Sequence, residues 1–506
     1  MNNTDKFKRT YTFPAIVLLL ILCLVPPILT WITGAGSVVS VFTDIPNLIN
    51  IGNSVLFALI CASASILLGF PGAYIVAKLK FPMKKFFKWI FAFLMLLPVS
   101  ILALSMKSFL QISGLEMHPL IPIGIVLVLS NAPLVIYFVG SRWVFLDKSC
   151  ENCARTLGTK PVAVFLSITT SRMRSESAFA FSLAFIRCFS NMSAFKILSD
   201  GSRIVNTCTF TYNLWQSGNK GAAQALSLAS FIILFISLMI MFLDSWHGIS
   251  KGQRLLKVKG FLPVLLVAVY LLSALAVFVF PFAVFIRKLL FANGSFAFSI
   301  PAVFSSAEAL GTKCVIYSAI ISVCSALLCT FIAKRLSFAI ARNGFSTYLA
   351  FLPLAIGASA LGMGFSYIGN LLPFVNPIIF AILATVVRMI PVAVLILLSA
   401  ILGIPKDFSD VSRTLGFSSR ASFRNIDSKL LRPNVFESFF VVTFLSFGEF
   451  GTPAFLNGNT VPTQIIALLE SGDSDGAYAL AALLLLVSIV FYSVANWLNS
   501  KGTSNA

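Results

Sequence analysis

Charge is what this sequence has least of. Only 11% of its 506 residues are Asp, Glu, Lys or Arg, while 58% are hydrophobic. Soluble domains carry roughly 25% charged residues and have too little interior to hide so much apolar surface, so a soluble globule is excluded. No Gly-Lys dipeptide occurs anywhere in the chain. A phosphate-cradling loop, in which Gly-rich backbone N–H groups and a lysine hold a nucleotide, is therefore absent, and any ATP hydrolysis has to come from another polypeptide. Histidine is confined to His118 and His247. The Cys-x-x-C of Cys150 and Cys153 lacks the two further ligands that a zinc site takes, so no metal site is expected. The nine cysteines are scattered, and Cys23, Cys61, Cys188, Cys314, Cys324 and Cys329 lie within apolar runs, where a thiol packs as a small apolar group; they give no disulfide framework.

What the sequence does hold is apolar length. A helix needs about 20 mostly apolar residues to cross about 30 Å of hydrocarbon. Such stretches fall near 13–33, 54–77, 89–106, 119–140, 178–196 and 224–243, then near 261–286, 314–333, 346–365, 377–403, 434–456 and 476–498. The expected fold is an all-α polytopic membrane protein of about 12 transmembrane helices in two tandem six-helix units, residues 1–250 and 251–506. Residues 1–33 begin basic and turn apolar without a clear small-x-small cleavage site, and are read as a retained first span rather than a signal peptide. The net charge of +20 is sorted by side. With odd-numbered spans going outward, the inward segments hold 28 of the 37 Lys and Arg. That asymmetry places both termini in the cytoplasm and makes a nucleic-acid surface the poorer reading.

The chain also repeats itself. Arg-Thr-Leu-Gly occurs at Arg155–Gly158 and again at Arg413–Gly416, and the same separation links Pro133 with Pro391, Lys148 with Lys406, Phe165 with Phe423, Arg174 with Arg432 and Phe189 with Phe447. A fixed offset over that distance marks two copies of one membrane unit joined head to tail. Ala77-Lys78 and Ala333-Lys334 are expected to end the second span of each half. Pro98 and Pro353 fall in the third spans, and Gly221-Ala222 and Gly476-Ala477 introduce the sixth.

The most polar inward loop of each half, 141–177 and 404–433, holds a helix-turn-helix pattern. A short helix near 149–157 is stopped by Gly158, and Thr159 then caps a second helix with Pro161 in its first turn; Gly416 and Ser418 or Ser419 take those roles in the second copy. Here the sequence resembles the inner-membrane permeases of ATP-binding-cassette importers, whose cytoplasmic signature begins Glu-Ala-Ala with a glycine a few residues later. The matching runs are Asn152–Gly158 and Asp410–Gly416. Asn152 stands where the signature has an acid, and Val411 and Ser412 stand where it has alanines. By position, the resemblance makes Ala154, Arg155, Leu157 and Gly158, with Ser412, Arg413, Leu415 and Gly416, two coupling helices that dock on ATPase subunits. It implies two copies of a cytoplasmic ATP-binding-cassette ATPase as partners and an extracytoplasmic solute-binding protein. It also implies no cofactor held by this chain, the ATP and Mg²⁺ being bound by the partner.

Charges inside spans are costly unless paired or facing water. Arg187 lies in the fifth span, Arg388 in the tenth and Glu449 in the eleventh, and Glu449 aligns with Asn191. In the resembling family the fifth and eleventh spans line the central path, which makes Asn191, Glu449, Arg187 and Arg388 candidates for it. An internal Arg–Glu pair that only fixes helix packing is the plainer alternative. The fused arrangement and the run Phe447–Leu456 resemble ferric-iron permeases, with thiamine permeases as the near alternative. An ion-gradient-driven secondary transporter is the rival of a different class; it would usually place more ionisable groups at mid-membrane. The expected location is the bacterial inner membrane.

Overall fold

A computed structural model of the chain describes residues 3–145, 153–154, 156–164, 167–168, 170–199, 204–242, 256–257, 261–292, 295–296, 311–341, 345–404, 411, 414–418, 421, 426 and 428–504. Among them the long elements are all helices, and the strands are two-residue pairs such as Leu79–Lys80 with Leu256–Lys257. In the first half the principal helices are α1 (Asn3–Thr33), α2 (Ile45–Lys78), α3 (Lys84–Leu96), α4 (Val99–Ser113), α5 (Leu120–Phe145), α6 (Arg174–Phe189), α7 (Ser193–Leu198), α8 (Thr207–Gln216) and α9 (Lys220–Met241). The second half runs through α10 (Phe261–Leu290), α11 (Gly311–Ile340), α12 (Phe345–Ala355), α13 (Ala358–Leu371), α14 (Pro377–Gly403), α15 (Arg432–Phe447), α16 (Gly451–Phe455), α17 (Val461–Glu470) and α18 (Ser474–Ser504). The order of long, broken and short helices is the same in both.

Eight of these, α1, α2, α5, α9, α10, α11, α14 and α18, are long and apolar enough to cross a membrane. On α1 the reason is plain in the pattern: Ala15, Leu19 and Cys23 are buried at helical spacing, while Leu18, Ile21, Val25, Ile28 and Ile32 are exposed. An exposed apolar stripe of that length belongs against lipid. The third stretches are not straight crossings. Helices α3 and α4 meet at 93° and α12 and α13 at 86°; counting each pair as one span gives ten. The stretches expected at 178–196 and 434–456 are each split, α6 from α7 and α15 from α16, so neither is one continuous helix.

One further expectation needs correction. Lys334 does not end the second span of its half, because α11 continues to Ile340, whereas α2 does stop at Lys78. Pro353 lies in the third stretch as expected, inside α12, and the bend falls at Gly357, which takes φ −58° and ψ 159°. Pro98 takes nearly the same conformation, φ −56° and ψ 131°, at the bend of the first half. A ψ in that range turns the next peptide out of the helical path, so one break is made by a proline and its counterpart by a glycine.

The chain forms two compact units that cut across the sequence halves. One comprises Met1–Ile45, Cys208–Phe235 and Phe298–Ala506, the other Pro46–Thr207 and Ile236–Ala297. Each half thus gives its opening span to the unit built from the other half. In the unit holding most of the second half, α1 brings Pro26 against Gly364, where an added Cβ would meet the proline backbone at 2.5 Å. Its Trp31 donates an indole hydrogen bond to Ser227 at 3.1 Å and packs on Phe231. In the unit holding most of the first half, α10 sets Phe278 against Trp89 and Phe93. Tyr270 of the same helix donates to the Leu68 carbonyl at 3.0 Å and lies against Gly72. Glycine at 72 and 364 is what lets the borrowed helix approach so closely.

Within each half of the sequence the same small devices recur. The N–H of Thr207, which opens α8, donates to the Ser54 hydroxyl of α2 at 2.9 Å; the N–H of Val461, which opens α17, donates to the Ser318 hydroxyl of α11 at 2.8 Å. Gly218 follows α8 with φ +85° and Gly472 follows α17 with φ +88°, each ending its helix in the left-handed conformation.

Candidate functional site

Two regions carry the polar chemistry: the inward elbows and the broken spans. At the first elbow one helical turn closes through Leu157 N–H to the Cys153 carbonyl at 3.1 Å, with the Thr156 hydroxyl on that same carbonyl at 2.7 Å. At the second, Leu415 N–H closes on the Val411 carbonyl at 3.1 Å and the Thr414 hydroxyl joins it at 2.7 Å. Gly158 and Gly416 follow with φ +81° and +80°, which only glycine adopts without strain. A Cβ at either glycine would meet nothing within 4 Å, so conformation rather than space demands the residue. The turn leaves an apolar knob standing in the open, Leu157 at 84% exposure and Leu415 at 70%. Ala154 lies in the first turn beside it. Past the second glycine the Ser418 hydroxyl accepts the Ala421 N–H at 3.3 Å, the capping role expected of it. Past the first, Pro161 opens the next helix, with the Lys160 carbonyl accepting from Val164. Asn152, Arg155, Ser412 and Arg413 lie outside the described residues.

The second elbow is the more apolar, since Val411 and Phe417 are also exposed there. At the first elbow those places are taken by Cys153, which is exposed too, and Thr159.

The broken spans hold the intramembrane charges. In the unit of the second half, α15 ends at Phe447 and α16 begins at Gly451. Glu449 stands between them, with Oε1 accepting the Thr452 N–H at 3.4 Å. The same oxygen lies 2.7 Å from Nε of Arg388 on α14. The Arg388 N–H is not aimed at it, so the contact is one of charge with charge rather than an aligned hydrogen bond. The side chains are 26% and 12% exposed.

In the unit of the first half, the corresponding break between α6 and α7 carries Asn191. Its Oδ1 accepts the Ala194 N–H at 2.9 Å and the Ser193 hydroxyl at 3.5 Å. Asn206 then closes the break from outside, donating to the carbonyls of Phe189 at 3.0 Å and Asn191 at 2.7 Å. Arg187 takes no part in this; it donates to the Met95 carbonyl at 3.4 Å, in the last turn of α3, where the bend leaves carbonyls without helical partners. So Arg388 and Glu449 come together, Arg187 serves a different break, and Asn191 and Glu449 occupy equivalent positions, each within its own unit. Sequence reading missed Asn206, whose only signal was a polar residue just before an apolar helix. It also passed over the buried hydroxyls of Ser446 and Thr452, which flank Glu449.

No family model matches the chain. Over 124 residues it is 29% identical to the ferric transport system permease protein FbpB of Actinobacillus pleuropneumoniae, a match covering 24% of this chain and 18% of that protein. The similarity therefore spans less than a fifth of that relative's length. Among solved structures, a bacterial ABC transporter involved in the import of the acidic polysaccharide alginate matches 47% of this chain and 96% of its own, at a TM-score of 0.37 and 16% identity. A likeness at that level adds nothing to the fold described above.

Proposed function

We propose that this chain is the membrane-spanning permease of an ATP-driven importer of the ATP-binding-cassette type, built as two fused six-span units with both termini in the cytoplasm of a bacterial inner membrane. The observation that carries the reading is the pair of elbows. Twice, in the same register, the chain makes one helical turn, stops it with a left-handed glycine and leaves a leucine exposed beside it. An exposed knob on a rigid turn is a docking feature for a partner that pushes and pulls, and having two in one chain calls for two ATPase copies per permease.

The chain contributes no catalysis in this scheme. Nucleotide and Mg²⁺ stay on the ATPase, whose closing would open the path outward and whose hydrolysis would reset it. An extracytoplasmic binding protein would deliver the solute. Ferric iron is the cargo favoured by the named relative's 124-residue match; thiamine by the same mechanism is the alternative.

A photo-crosslinker placed at Leu157 and at Leu415 tests this directly. Each position is expected to capture a nucleotide-hydrolysing protein, with one permease chain per two captured copies. Capture of no such protein, or two permease chains per ATPase pair, would overturn it. Gly158→Val with Gly416→Val should sever ATP-dependent uptake while leaving the spans folded, since each change costs about 1–2 kcal/mol of local backbone strain.

A further inference from the structure

Nothing in the importer scheme calls for the way lysines are packed where α2 hands over to α3. The chain has no Asp or Glu from residue 45 to 115 or from 245 to 307. The first of these stretches nevertheless holds Lys78, Lys80, Lys84, Lys85 and Lys88, and the second Lys251, Arg254, Lys257 and Lys259. The short parallel pairing of Leu79–Lys80 with Leu256–Lys257 joins them, with Lys257 opposite Lys80 in the ladder. The turn that follows is drawn tight: Lys84 Nζ donates to the Leu79 carbonyl at 2.8 Å and lies 5.9 Å from the centre of the Phe81 ring. Leu79, Phe81 and Phe87 pack in one apolar cluster with Ile75 and Phe91, and Lys80, Lys85 and Lys88 are exposed around it. Lys84 and Lys85 open α3, and Lys88 stands one turn on from Lys84. Among the described residues none of Lys80, Lys84, Lys85 and Lys88 makes an ion pair.

Such an arrangement opposes itself. Like charges opposite each other in a ladder or one turn apart on a helix are destabilising, and cations in a first helical turn face the positive end of the helix dipole. An inward excess of positive charge does not require this packing. In the second half Lys334 donates to the Ser428 hydroxyl at 2.9 Å, and α12, the counterpart of α3, holds no Lys or Arg. An anion bound among the lysines of the first half removes the conflict. Beside them Phe86, Trp89 and Phe93 stack in a column, with ring centres 6.3 and 5.6 Å apart, and Phe86 and Met83 are exposed. Cations next to an aromatic column at the start of a bilayer segment match the two ends of a phospholipid, an anionic headgroup and an acyl chain.

We propose that the α2–α3 turn holds an anionic phospholipid, with Lys80, Lys85 and Lys88 on the headgroup phosphate and Phe86 and Trp89 along the acyl chain. A lipid rather than free phosphate is the ligand, because exposed apolar side chains beside the lysines offer an inorganic ion nothing. Lys84 is a positioning residue, whose bond to Leu79 sets the turn. The site needs a bilayer and no ATPase, so it stands or falls apart from the importer reading.

The test titrates phosphatidylglycerol into the purified full chain in detergent and reads lipid-bound against lipid-free chain by native mass spectrometry, with phosphatidylcholine as the neutral reference. Wild type should prefer phosphatidylglycerol, and each lysine lost should weaken that binding about fivefold. Lys80→Gln/Lys85→Gln/Lys88→Gln together should lower it about a hundredfold, erasing the preference over phosphatidylcholine. Lys6→Gln/Lys8→Gln/Arg9→Gln removes the same charge from another inward segment and should bind as wild type does. No preference in wild type, an unchanged first triple variant, or equal losses in both triples would overturn the proposal. Added phosphate, against chloride at matched ionic strength, separates the lipid from a free anion. Phosphatidylglycerol that stays bound in both supports the lipid, and stripping by phosphate alone sinks it. Should the triple variant not yield monodisperse protein, Lys85→Gln and Lys88→Gln singly decide: a loss of about fivefold in each supports the site, and no loss in either overturns it.

Discussion

The breaks at Asn191 and Glu449 share a backbone and differ in chemistry. Both interrupt the same helix of their half, and both use a side-chain oxygen to accept the N–H three residues on, which starts the next short helix. The first is then sealed by neutral hydrogen bonds from Asn206. The second has no such seal, because the residue that opens the same connection there, Thr460, spends its side chain on Thr463. Its carboxylate is met instead by Arg388. The two halves share their mechanical parts, the elbows, the helix-ending glycines and the serine brackets, and differ in the polar contents of the breaks. A neutral seal only fixes geometry; an ion pair fixes geometry and also holds two charges together.

The largest expected effect comes from making the second break chemically like the first. Glu449→Gln leaves Arg388 without its counter-charge and should lower stability by about 1–3 kcal/mol, read as a fall in the thermal midpoint by fluorescence-detected size exclusion. Arg388→Gln in the same chain should recover most of that loss. If the single variant melts like wild type, the pair contributes nothing and the contrast between the breaks is empty. Next in size is Asn206→Ala, which strips two carbonyls of their donor and should cost about 1–2 kcal/mol, with faster amide exchange confined to residues around 189–194. Exchange that spreads evenly through the unit would show that Asn206 does not seal the break. Smallest are Ser54→Ala and Ser318→Ala, at about 0.5–1.5 kcal/mol each. Since the two serines do the same work in their units, their melting shifts should agree, and a large disparity would show that the repeated bracket matters in only one half.

Much of this was legible before any coordinates. The elbows were marked by Arg-Thr-Leu-Gly, and both glycines take the left-handed conformation expected of them. The equivalence of Asn191 and Glu449 followed from a constant offset, and the Arg388–Glu449 contact was one of two readings open for those charges. Other features were hidden for identifiable reasons. Gly357 gave no sign of a bend because Pro353, four residues earlier, is the stronger punctuation, yet a proline can ride within a helix whose neighbours satisfy its freed carbonyl. Lys334 looked like a boundary by its likeness to Lys78, but a lysine within a helix does not stop it, and α11 runs on. The splits at 190–192 and 448–450 sit in runs apolar enough to read as continuous spans.

By itself the sequence determined the solvent, the repeat and the elbows, because hydrophobic length, charge asymmetry and a left-handed glycine are local properties that each segment carries alone. Only the tertiary structure decided that each half lends its first helix to the other unit, that Arg187 and Arg388 serve different breaks, and that two hydroxyls beside Glu449 are buried without partners. Those outcomes depend on which surfaces meet. A helix that is apolar on every side can pack against any neighbour, so its choice is settled by close approaches such as Pro26 on Gly364 and Tyr270 on Gly72, which no single segment encodes.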